Sequence, residues 1–232
     1  MNGSPRFRRV LAIGTSILLT AGAPASVLLA QTPAARFVDS ARVEIDRAIH
    51  DMDMARLDRT TVLLDRALVA FPDDPYALHY RGYVAYLKVM GAMMGGDKSN
   101  AGPVISRGLA DLAKSAERLA WPETIQLEAA LNAFRIAIEP GSGPTLGPLT
   151  GRLSAEASKM GPNNPRVALL QAYMAEGTPE SMGGGAERAR ALAAKAVSLF
   201  ASDHPAPLAP SWGKDEADTL LRRLSGSGRG GP

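Results

Sequence analysis

From Phe37 to Leu224 apolar residues recur at three- and four-residue spacing and almost never alternate, which commits the chain to helices rather than strands. ARFVDSARVEIDRAIHDM places Phe37, Ala41, Ile45, Ala48 and Met52 on one helical face. ARLDRTTVLLDRALVAF does the same with Leu57, Leu64, Ala67, Leu68 and Phe71, so these two predict an antiparallel pair joined near Asp53. Further helices are expected over roughly 75–93, 101–120, 124–138, 146–160, 165–177, 185–201 and 213–224. The breaks between them carry stop chemistry: FPDDP, MGGDKSNAGP, AWPET, EPGSGPTLGP, MGPNNP, TPESMGGG and SDHPAPLAPSWG. The expected fold class is all-α, with about nine helices over 31–224 and a disordered tail over 225–232.

One break has an echo. RALVAFPDDPYAL (66–78) aligns with EASKMGPNNPRVA (156–168), 90 positions on, with Ala67 over Ala157, Pro72 over Pro162 and Pro75 over Pro165. A weaker copy, ERLAWPETIQL, sets Trp121-Pro122 where the first has Phe71-Pro72. A proline cannot continue the helix before it, whereas proline at the first position of the next helix lacks only an N–H with no intrahelical partner. Asp74 and Asn164 are placed to cap that next helix. The unit is helix, stop, cap, helix.

An alanine five residues before such a proline, then a helix with a small residue at its eighth position, resembles the tetratricopeptide repeat, a helix pair of roughly 34 residues. Gly82 and Ala172 fall at that eighth position, and Ala85 and Ala175 at the eleventh. The later stretches TPESMGGG and APSWGKDEA also look like those of exported bacterial proteins of this type. The resemblance implies a solenoid of stacked antiparallel helix pairs whose first helices line a concave groove. It places Tyr76, His79, Tyr83 and Tyr86 of one copy, and Arg166, Leu169, Tyr173 and Glu176 of the other, in that groove, with Tyr80 and Gly82 as packing positions. Tyrosine supplies rigid apolar area with a polar tip, which suits a protein or peptide partner. The insertions near 91–103 and 139–146 are the segments expected to fold over such a groove, if any do.

The N-terminus addresses location. Residues 1–30 carry Arg6, Arg8 and Arg9, an apolar run over 10–19 and then small residues that offer cleavage after Ala25 or after Ala30. This is the pattern of a secretory signal peptide, and an uncleaved membrane anchor is the alternative. The expectation is an exported protein of the periplasm or cell envelope with no stable membrane span after cleavage. Of the 26 Lys+Arg, three lie in residues 1–30, which hold none of the 23 Asp+Glu; the remainder is balanced at 23 against 23. That balance gives no electrostatic case for nucleic acid.

Catalytic and metal chemistry find little support. Cysteine is absent, and the three histidines, His50, His79 and His204, sit in separate segments. Met90, Met93 and Met94 in VMGAMMGGDKSN suit Cu(I) by ligand type but lack Cys or His neighbours, so an adaptable loop or helix end is expected. The glycines of ESMGGGAERARA suit a phosphate nest or, more simply, a tight connection. Ser211, Asp215 and Glu216 are placed to start the last helix, and Trp212 to pack it over the end of the array. The sequence therefore points to a non-enzymatic binding module without cofactor, engaging an unidentified protein or peptide partner. The alternative is a solute-binding helical protein serving an envelope transporter, which needs an enclosed site rather than an open groove.

Overall fold

The computed structural model describes residues 33–95 and 97–226; the expected leader (1–30) and the tail from 227 on lie outside it. Among the described residues nine α-helices follow one another: α1 (Pro33–Asp51), α2 (Met54–Ala70), α3 (Pro75–Gly95), α4 (Ala101–Ala116), α5 (Pro122–Ile138), α6 (Gly143–Met160), α7 (Pro165–Glu176), α8 (Ala186–Phe200) and α9 (Lys214–Gly226). Short 3₁₀ turns at Pro140–Ser142 and Glu180–Met182 interrupt the series, and no strand occurs among the described residues. The fold is all-α.

The breaks work as their chemistry predicts. Asp53 caps α2 by accepting from the Arg56 N–H at 3.0 Å, and Asp74 accepts from the Ala77 N–H at 2.8 Å at the start of α3. Asn164 accepts from both the Arg166 and Val167 N–H groups, at 3.0 and 3.2 Å, while its own amide donates to Glu123 at 2.7 Å. Several boundaries differ from expectation; α4, for one, stops at Ala116 rather than near 120. Helix α6 starts at Gly143, with Pro144 in the first turn, where no N–H is missed, and carries Pro148 inside at the loss of one intrahelical bond. Helix α3 runs on to Gly95, so Met90 and Met93 pack against the core and only Met94 of the three is exposed. Met52, expected on the buried face of α1, is exposed instead; its backbone turns left-handed (φ 53°) and ends the helix.

Each helix packs on the next, and α1, α3, α5 and α7 also touch in succession, so α3 and α5 are flanked on several sides. Alanine and leucine fill these contacts: Ala41, Ile45, Leu64, Ala67, Leu112, Leu127, Leu131, Ala172, Ala193 and Ala196 are all inaccessible to solvent or nearly so. The α3–α4 crossing is close enough to demand glycine. A Cβ on Gly82 would lie 2.5 Å from the Leu112 side chain, and one on Gly108 would lie 2.8 Å from the Ala85 Cβ. Across the same crossing Arg81 grips Asp111 with two bonds, 2.7 and 2.6 Å, and reaches Asp65 of α2 at 2.7 Å. This three-helix clamp fixes the rotation of α3, and with it the direction of that helix's tyrosines.

Candidate functional site

Helix α3 exposes little of its surface: Leu78, His79, Tyr80, Tyr83, Val84 and Tyr86 are all buried. Tyr83 and Tyr86 lie one turn apart on one face, their rings 6.3 Å apart and nearly parallel. Phe134 of α5 stacks beyond Tyr86 at 5.6 Å, and Trp212 lies flat on Tyr83 at 4.2 Å with planes 13° apart. The result is a row of four rings, Trp212, Tyr83, Tyr86 and Phe134. Tyr173 of α7, half-buried, packs against the same core.

Two polar atoms in this row stand out. The Tyr86 hydroxyl and the Trp212 indole N–H are buried without a hydrogen-bond partner among the described residues. Such atoms are uncommon in folded proteins, because each gives up its water for nothing; eight occur among the described residues, and these two are the ones set in the ring row. Burial raises the ionisation of Tyr83 and Tyr86 above the usual phenol range and that of Tyr173 to about 12. The phenols therefore present neutral O–H groups. Glu216 of α9 faces these tyrosines and Asp46 of α1; burial raises both carboxyls.

The row is covered by the chain itself. Residues 203–213 run as a strap between α8 and α9. Tyr80 donates its hydroxyl to the Leu208 carbonyl at 3.1 Å, and Arg42 of α1 donates to the Ser211 hydroxyl at 2.7 Å. Gly213 turns left-handed (φ 105°), and a Cβ there would lie 3.0 Å from both Leu169 and Phe200. The strap thus touches α1, α3, α7 and α8.

Of the eight residues expected along an open groove, His79, Tyr83, Tyr86, Arg166 and Leu169 are buried, and Tyr76, Tyr173 and Glu176 are half-buried. Tyr83 and Tyr86 form the centre of the ring row, and Leu169 lies under Gly213. Tyr76 and His79 instead meet Trp121, at 5.3 and 5.0 Å between ring centres. His79 bonds the Thr124 hydroxyl through Nδ1 at 2.9 Å; burial, aided by Arg166, holds its ionisation down to about 3. Arg166 is buried in an ion pair with Asp203 (2.6 Å), its guanidinium over the Phe200 and Trp212 rings. Glu176 pairs with Arg223 of α9. An open groove requires that nothing lie over the first helices; here the strap and α9 do. The covering contacts come from the strap rather than from the insertions near 91–103 and 139–146.

Two other features carry less. The glycines of 183–185 use their N–H groups inside their own turn, Gly185 bonding the Ala175 and Thr178 carbonyls at 2.8 and 2.9 Å, which fits a tight connection rather than an anion nest. A cleft of about 80 Å³ between α2, α3 and α4 is lined by Arg81, Lys88, Arg107 and Asp111. Its cations are matched by Asp65, Asp111 and Asp58, so it exerts no net pull on an anion. Among the described residues no group of three or more His, Asp or Glu is placed to hold a metal, and no helix is long and apolar enough to cross a membrane.

Two rings of the row are not marked by the repeat spacing. Phe134 falls one residue past a groove position counted from Pro122, so spacing gives it no weight. Trp212, expected at the end of the array, leaves a signal of its own: a large aromatic inside a proline-rich break.

No protein-family model matches the chain, and no curated protein does. Among solved structures, the HusA haemophore from Porphyromonas gingivalis has the same fold, with a TM-score of 0.65 at 24% identity over 90% of this chain and 96% of that one. The likeness is one of fold.

Proposed function

We propose that this chain is an exported, non-enzymatic binding protein for a flat, largely apolar small molecule, held at the ring row of α3 and α5. The observation that carries the reading is the pairing of the stacked Tyr83, Tyr86 and Phe134 rings with a buried, unpartnered polar atom among them, the Tyr86 hydroxyl. Small-molecule sites are mostly apolar and aromatic with a few convergent polar groups, and this cluster has that make-up. Stacked rings hold a planar conjugated ligand, and the unpartnered hydroxyl supplies one directional bond to fix its orientation. That the similarly folded HusA is a haemophore makes haem the first ligand to try.

Haem titration followed by its visible absorbance tests this. Saturable, one-to-one binding is expected, weakened about tenfold by Tyr86→Phe, the worth of one buried hydrogen bond. Tyr83→Ala is expected to weaken it further. A wild-type protein that takes up no haem, or variants that bind it equally well, count against the reading.

A partner-protein reading retains one observation in its favour. The strap lies on the face as a bound peptide would, with Leu208 and Trp212 inserted. Crosslinking and capture from envelope extracts, wild type against Tyr83→Ala/Tyr86→Ala, addresses it. Identical partners at identical yield from two folded proteins exclude that reading for this face.

A further inference from the structure

We infer that Trp212 is a built-in occupant of the ring site, and that strap 203–213 is a hinged cover that lifts to let a ligand's ring replace the indole on Tyr83. The inference rests on the small-molecule reading above and adds its regulation. Trp212 matches the site in shape, lying 4.2 Å from Tyr83 and nearly coplanar with it. It does not match in polarity, because its N–H stays buried there without a partner, and the Tyr86 hydroxyl, one ring further along the row, gains none from it. A ligand whose flat ring stacks on Tyr83 and whose polar group extends along the row to the Tyr86 hydroxyl makes the same stack and gains a bond that the indole does not make. The occupant is therefore one that a better-matched molecule displaces.

The strap is built to move as a unit. Its ends are fixed: Asp203 is held by the buried Arg166 at 2.6 Å, and α9 is held against α8 and by the Arg223–Glu176 pair. Between them, Pro205, Pro207 and Pro210 offer no N–H, which leaves this stretch with few backbone donors for a neighbouring helix. His204, Pro205, Ala206 and Pro207 are exposed, while Leu208, Pro210 and Trp212 point inward. The side-chain bonds across to the helices are those from Tyr80 to Leu208 and from Arg42 to Ser211. Left-handed backbone at Leu208 (φ 63°) and Gly213 (φ 105°) brackets the inserted segment. Leucine rarely adopts that conformation and favours leaving it.

Because cysteine is absent, a single engineered thiol reports the opening. Leu208→Cys is expected to react with a thiol reagent in native buffer at a rate independent of denaturant, whereas Leu64→Cys in the core of α2 reacts only as the whole molecule unfolds. Reaction of the thiol at position 208 only through global unfolding overturns the hinged cover. Tyr80→Phe, which releases the strap without touching the ring row, is expected to speed labelling at 208. For occupancy, Trp212→Ala is expected to bind haem about tenfold more tightly than wild type, since the competing state is removed. Tyr80→Phe should shift affinity the same way. Weaker or unchanged binding by both variants, each checked as folded, overturns Trp212 as occupant. If neither wild type nor variants bind haem while the thiol at 208 still labels by local opening, the haem reading fails and the hinged cover stands.

Discussion

Gly82→Ala tests the closeness of α3 and α4, on which the position of Tyr83 and Tyr86 depends. On an isolated helix the change is favourable by about 1 kcal/mol. Here the new methyl would sit 2.5 Å from Leu112 Cγ and Cδ2, while ordinary carbon contact is about 3.5–4.0 Å. Leu112 is wholly buried and has to move by about an ångström into packed surroundings, an overpacking that costs about 3 kcal/mol at such a site. The net expectation is a loss of about 2 kcal/mol, or roughly 4–8 °C in Tm for a chain of this size. Leu112→Ala alone leaves a cavity and should lose about 3 kcal/mol. Combined, the methyl introduced at position 82 occupies space that Leu112 vacates, so the clash disappears and the propensity gain remains. The double variant is then expected to lose only about 2 kcal/mol, against about 5 for an additive pair. Urea unfolding followed by far-ultraviolet circular dichroism measures all four proteins. A Gly82→Ala protein as stable as wild type, or an additive double variant, refutes the reasoning.

Caps and buried ionisable groups supply further tests. Asn164→Ala removes the acceptor for two N–H groups of α7 and the bond to Glu123, and should lose about 2 kcal/mol by urea unfolding. His79 stays neutral in the native state down to about 3 but protonates near 6.5 when unfolded, so the unfolded chain binds the extra proton between those values. Stability therefore falls as pH drops through that window, by up to about 1.4 kcal/mol per unit, and His79→Gln should remove that part of the slope. Glu128 runs the other way: burial, and then Glu156, raise it from 4.5 to about 7, so the native state binds the extra proton and stability falls as pH rises through that window. Glu128→Gln should accordingly gain about 1 kcal/mol above pH 7, a figure discounted for solvent at its open edge.

What could be read from the sequence followed the range of the interactions involved. The starts of α2, α3 and α7 were legible because a cap acts within three residues: Asp53 on Arg56, Asp74 on Ala77, Asn164 on Arg166 and Val167. Gly82 was legible as a packing position because a missing side chain marks close approach, and Leu112 supplies the neighbour. The fate of the tyrosine face was not legible, since it is decided by residues 128 positions away, where the Leu208 carbonyl meets the Tyr80 hydroxyl. SDHPAPLAPSWG reads correctly as a break, because its prolines stop helix on either side of them. Of its two large apolar residues, Leu208 carried no expectation, and Trp212 was expected over the end of the array rather than on Tyr83. A solvent-exposed connection has no reason to carry leucine and tryptophan, and a segment that carries both must bury them on a neighbour. An apolar face without a partner of its own was already in view on α3, at Tyr83 and Tyr86. Matching the apolar residues of the break to the rings of the helix makes the Tyr83–Tyr86 face a partner for Trp212, and the structure seats it on Tyr83. The same pairing explains why those tyrosines are not free to meet a partner until the strap leaves.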